Sequence, residues 1–162
     1  MQHNGIRLSS VHRAWLFGAL ATAFISGTAW WVLHHWFQID AEFGLAPHPA
    51  EHWLIRLHGA AAMLTLVLLG SLFTLHVKRA WLAGRNRRSG GLLFALHAFL
   101  ALTGYALYYA GSEALRAFAS NSHLALGLAL PVLLILHLVL GRRTRSVGDD
   151  DLRPDDEDES IG

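Results

Sequence analysis

Four apolar stretches dominate the chain: Ala14–Phe37, Leu57–Val77, Gly90–Ala110 and Leu124–Leu140, none of which contains Lys, Arg, Asp or Glu. Each is at or near the length that crosses a hydrocarbon layer about 30 Å thick as a helix. In lipid a helix has the further advantage that every backbone polar group is satisfied within the segment. The pattern therefore predicts an all-α, four-helix transmembrane bundle within residues 1–145, with helices over about 11–37, 53–78, 90–111 and 121–141. The first stretch lacks a small-residue cleavage pattern and reads as a retained helix rather than a signal peptide. Residues 37–52, with Pro47 and Pro49, read as the larger connecting loop. Residues 146–162 carry eight acids between Asp149 and Glu159, with almost no apolar residue among them, and read as a disordered, solubilising acidic tail.

Composition agrees with the pattern: 53% of residues are hydrophobic and only 15% charged, too apolar for a soluble domain of 162 residues. Charge adds an orientation. Eleven of the thirteen Lys and Arg lie in the N-terminal segment, the loop after the second stretch or the C-terminal tail, which places both termini and that loop in the cytoplasm. The opposite side holds Arg56 and Arg116 as bases, with Asp40, Glu42, Glu51 and Glu113 as acids. The formal net charge of +1 hides this asymmetry and gives no reason to expect nucleic-acid binding. Cysteine is absent, which excludes thiolate-held iron–sulfur clusters, covalent c-type haem and internal disulfides. No internal repeat, phosphate-binding glycine loop or nucleophile motif is present, and the short loops leave no room for a catalytic domain. The chain does not read as a self-contained enzyme.

The chemistry lies in the histidines, of which there are eleven. His123 and His137 are 14 positions apart in an otherwise non-ionisable run. That spacing separates them by about 21 Å along a helix, on faces about 40° apart. Polar rings in lipid are costly without a partner, and the partner that suits two such rings is haem iron, bound twice. His58 and His76, five turns apart, likewise share one face of the second helix. In an up-down bundle helices two and four are diagonal neighbours, so His58 with His123 would hold an outer haem b and His76 with His137 an inner one. Gly127 and Ala62, one turn from His123 and His58, would admit a flat macrocycle, as would Ala101 and Gly104 beside His97. Small residues are also common in ordinary membrane helix packing. Arg56 is placed to pair with a haem propionate or to snorkel to the surface.

His12 ahead of a helix containing Ser26-Gly27, Arg56-Leu57-His58, and the His123-x13-His137 helix together resemble the bacterial membrane di-haem b-type cytochromes, the superfamily that includes the cytochrome b subunits of formate dehydrogenase and nickel–iron hydrogenase. The resemblance implies an outer haem on His58 and His123 and an inner haem on His12 and His137, where depth matching favours His76. His97 is a third candidate ligand. It also implies a multi-pass protein of the bacterial inner (cytoplasmic) membrane that passes electrons between a quinone pool and a separate redox partner protein. Two other readings compete: a haem-free protein with a copper or zinc site in the outer His34, His35, His48 and His52 cluster, and a structural anchoring subunit.

Overall fold

A computed structural model describes residues 9–42, 44–72 and 87–150. Among these the chain forms α1 (Ser10–Trp36), a hairpin of β1 (Ile39–Ala41) and β2 (Gly44–Ala46), α2 (Glu51–Leu72), α3 (Arg87–Tyr109) and α4 (Glu113–Asp150). Each of the four helices contains a stretch long and apolar enough to cross a membrane.

Local chemistry sets where each helix begins. Ser9 caps α1, its hydroxyl accepting the His12 N–H at 3.1 Å, which satisfies one of the donors a helix start leaves open. α2 starts beyond Pro47 and Pro49 with Glu51 in its first turn, where a negative charge suits the positive end of the helix. Between them the expected loop contains the small antiparallel hairpin, pairing Ile39 with Ala46, Asp40 with Leu45 and Ala41 with Gly44. Gly44 has φ of +112°, a backbone state that a Cβ would oppose.

α4 departs from the expected bounds at both ends. It starts at Glu113 rather than near 121, because Glu113, Ala114, Leu115 and Arg116 are good helix formers ahead of the apolar run. Ser112 receives the Leu115 N–H on its hydroxyl at 3.4 Å and the Arg116 N–H on its carbonyl at 3.0 Å. At the other end α4 runs on to Asp150, so residues 146–150, expected in the disordered tail, are helical. No proline interrupts the chain there before Pro154. The rest of the expected tail, from 151, lies outside the described residues, as do His76, Lys78, Arg79 and Arg85. Within α4, Pro131 has no N–H to give the carbonyl four residues back, that of Gly127.

α1 packs along α2 and α3 along α4, with α1 also touching α4. The residues buried between helices are mostly small: Ala19, Ser26, Ala61, Thr65, Thr103 and Ala119. Large apolar side chains such as Met63, Val67, Leu102 and Ile135 face outward. This inversion suits helices whose outer surface meets hydrocarbon, where association depends on close backbone approach rather than on hiding apolar area. The buried hydroxyls of Ser26, Thr65 and Thr103 each donate to the carbonyl four residues earlier, at 2.6, 2.8 and 2.9 Å, so none is left without a partner in apolar surroundings.

Candidate bis-histidine sites

At the hairpin end of the bundle, His58 of α2 lies against α1. Its Nδ1 is 2.8 Å from the Ala23 carbonyl, which can only accept, so the proton is on Nδ1 and the lone pair on Nε2. Gly27 makes this approach feasible: a Cβ there would fall 2.8 Å from His58 Nδ1 and 2.9 Å from Cε1. On the other helix pair, His123 of α4 meets α3 through Thr103, with Oγ1 and Nδ1 2.9 Å apart. The Thr103 hydroxyl proton is taken by the Phe99 carbonyl at 2.9 Å, so the oxygen is left to accept from Nδ1. Gly104 lies beside it, and a Cβ there would sit 3.4 Å from His123 Cε1.

These two imidazoles, from different helix pairs, face each other with ring centres 6.0 Å apart and planes at 76°. Two imidazoles that share one metal, each nitrogen about 2.0 Å from it, have ring centres about 6 Å apart. In metal sites a ligating histidine gives its second N–H to a carbonyl or similar acceptor, which fixes the tautomer and the ring orientation. Both features are compatible with His58 and His123 sharing one metal through their Nε2 atoms.

The opposite end repeats the local device without a ring-to-ring contact among the described residues. His137 Nδ1 is 3.0 Å from the Ser89 hydroxyl, and a Cβ on Gly90 would lie 3.8 Å from its Cε1. His12 Nε2 is 3.4 Å from the Ser71 hydroxyl on α2. Fifteen residues of α1 separate His12 from Gly27 and fourteen of α4 separate His137 from His123. Both therefore lie about 21 to 22 Å from the His58–His123 level. His12 is thus level with His137, a depth relation that the sequence alone assigned to His76.

His97 stands elsewhere. Its Nδ1 is 2.7 Å from the Leu93 carbonyl, and its Nε2 is buried with no hydrogen-bond partner among the described residues. On α3 it is eight residues from Ser89 and six from Thr103, about 12 and 9 Å, so it is level with neither histidine of α4.

The hairpin-end histidines proposed for copper or zinc are spread among separate partners. His34 Nδ1 contacts Glu51 at 2.9 Å, His35 Nδ1 the Trp31 carbonyl at 2.9 Å, and His48 Nδ1 accepts the Ala50 N–H at 3.1 Å. The His52 ring lies edge-on to Trp53. Among the described residues no three His, Asp or Glu side chains converge in a way that could hold a metal ion. The Arg56 guanidinium sits 5.5 Å over the Trp53 ring.

Sequence reasoning singled out Gly127, whose added Cβ would meet nothing within 4 Å. The glycines that face imidazoles are Gly27, Gly104 and Gly90, and each follows a hydroxyl residue: Ser26-Gly27, Thr103-Gly104 and Ser89-Gly90. A hydroxyl–glycine step on the helix beside each histidine helix is a signal the sequence carries, and it would have found Thr103 and Ser89. No protein-family profile matches the chain, and neither a curated protein nor a solved structure does.

Proposed function

We propose that the chain is a membrane b-type cytochrome that holds two haems by paired histidines and passes electrons across the membrane between a quinone pool and a separate redox partner. The observation that carries this reading is the His58–His123 pair: rings 6.0 Å apart, with each Nδ1 engaged by a neighbouring helix. His58 and His123 would hold the haem at the hairpin end, on the outer side by the charge distribution. His137 would hold the inner one with His12, which shares its depth, or with His76. A haem with two imidazole ligands supplies one-electron transfer rather than oxygen binding. The protein's own part is positional: the Ala23 carbonyl and Thr103 hydroxyl fix the rings, and Gly27 and Gly104 leave room for them. The apolar outer faces keep both sites away from water, which sets their potentials.

The test is a visible spectrum of protein purified in detergent. Dithionite-reduced protein is expected to show sharp b-type bands and a pyridine haemochrome equal to two haems per chain. A folded, colourless preparation from haem-replete cells overturns the reading, as does copper or zinc in stoichiometric amount in its place.

A further inference from the structure

Two turns beyond the His58 level, toward the hairpin, His34 and Glu51 meet across α1 and α2. Seven residues separate Glu51 from His58 and His34 from Gly27. Seven residues advance a helix by about 10 Å and bring it back to nearly the same face, so the pair stands directly along the seam from His58. Glu51 is buried, at 6% exposure. Both of its oxygens are used: Oε2 lies 2.9 Å from His34 Nδ1, and Oε1 accepts the His48 backbone N–H at 3.1 Å. The His34 side chain is 42% exposed. It stacks on Trp30 with ring centres 4.9 Å apart and planes at 14°.

A clasp between two helix ends needs neither a buried carboxylate nor a half-exposed imidazole. Among the described residues Glu51 has no Lys or Arg partner, and its one ion-pair partner is His34. The His48 N–H and the positive start of α2 also face Glu51, and a proton on His34 adds the one full positive charge set against it among the described residues. A carboxylate that receives Nδ1–H orients the ring so that Nε2 is the nitrogen that gains and loses that proton. Other ionisable groups nearby are differently engaged. His35 of α1 lies edge-on to His34 at 5.4 Å, with its Nδ1 on the Trp31 carbonyl. On the segment before α2, His48 bonds to Glu51 through its backbone N–H, while His52 and Arg56 of α2 pack on Trp53. Asp40 and Glu42 of the hairpin are exposed, and among the described residues nothing on α3 or α4 bonds to either member of the pair.

We propose that His34 and Glu51 form a proton-holding dyad for the site at His58 and His123. His34 binds the proton and Glu51 is the positioning residue, with occupancy tied to the charge about 10 Å away. The inference rests on the haem reading. An electron added to that site increases the local negative charge and favours a proton on His34. By the same linkage a protonated pair favours the reduced state, so the midpoint potential rises as pH falls.

The experiment is a redox titration of the hairpin-end haem at several pH values, on full-length protein in detergent. Wild type and His52→Gln are expected to show a potential that falls as pH rises. His34→Gln is expected to abolish that dependence, Glu51→Gln to weaken it and Glu51→Asp to restore it. Because His34 is half-exposed, its variant carries the test if Glu51→Gln fails to fold. Ring nitrogen-15 shifts give a second readout: His34 is expected with Nδ1 protonated and Nε2 bare at high pH, with Glu51→Gln mixing the tautomers. A pH-independent wild-type potential, an unchanged slope in His34→Gln, or an Nε2–H tautomer in wild type overturns the dyad while leaving the haem assignment intact. A protein with no haem overturns the assignment itself, and the dyad with it.

Discussion

The two ends of the bundle use the same device and close it differently. At the hairpin end, imidazoles from the two helix pairs approach to 6.0 Å, each braced by its own neighbour helix. At the far end the contacts among the described residues bring His137 to Ser89 of α3 and His12 to Ser71 of α2. Bracing a ring is thus a property of one helix hairpin, whereas bringing two rings together is a property of how the hairpins associate. Contact is close within each pair, α1 along α2 and α3 along α4, whereas the two pairs meet chiefly where α1 touches α4. A group gripped by one histidine from each hairpin would add to that association.

The largest expected effect separates the two ends outright. His58→Ala or His123→Ala should cut haem content from two to one per chain by pyridine haemochrome, leaving the spectrum of the far site. His137→Ala should leave the spectrum of the hairpin-end site. If His123→Ala and His137→Ala removed the same haem, the two ends would not be separate sites.

Next in size is the choice of partner for His137. If the depth relation governs, His12→Ala drops the protein to one haem and His76→Ala leaves two. The reverse result, read by the same assay, would show that the shared face of His58 and His76 decides. A smaller effect is expected from Gly27→Ala, whose methyl would lie 2.8 Å from His58 Nδ1. Overpacking of this kind costs about 1–3 kcal/mol. Thermal melting should fall and the hairpin-end haem should be lost first on dilution, with the far haem retained.

Thr103→Val removes the acceptor of the His123 Nδ1–H without removing a ligand. Loss of such an orienting partner weakens metal affinity by about 10–100-fold, to be read as faster haem loss to apomyoglobin from the hairpin end alone. The smallest effect is expected for Gly127→Ala, where the added methyl meets nothing within 4 Å. Its stability, read by thermal melting, should differ from wild type by no more than about 1 kcal/mol, the helix-propensity difference between Gly and Ala.

Much of the architecture was legible because lipid leaves a chain few choices. An uncharged run such as Leu124–Leu140 must be helical wherever it crosses hydrocarbon, so its place could be read from composition alone. Its limits could not, since hydropathy is blind to the polar turns Glu113–Ser122, which extend α4 by ordinary helix propensity and the Ser112 cap. The β1–β2 hairpin was also missed, being too short to show a period. At the candidate site the reverse holds: His58 and His123 stood out as rings in apolar runs, while the groups that brace them looked like routine small residues. Thr103, Ser89 and Gly27 carry no distinctive chemistry until a neighbouring helix is set beside them.

The sequence by itself determined the four apolar helices, the asymmetric charge and the depth of each histidine along its own helix, because these depend on rise per residue and on the cost of charge in hydrocarbon. Only the tertiary structure decided which rings meet and which carbonyls and hydroxyls hold them. It also placed the buried carboxylate of Glu51 on His34, although other histidines stand close by in the chain. Those outcomes depend on the register and rotation of one helix against another. Register and rotation are set by small residues in contact across the interface, and such contacts leave almost no trace in the pattern of a single strand of sequence.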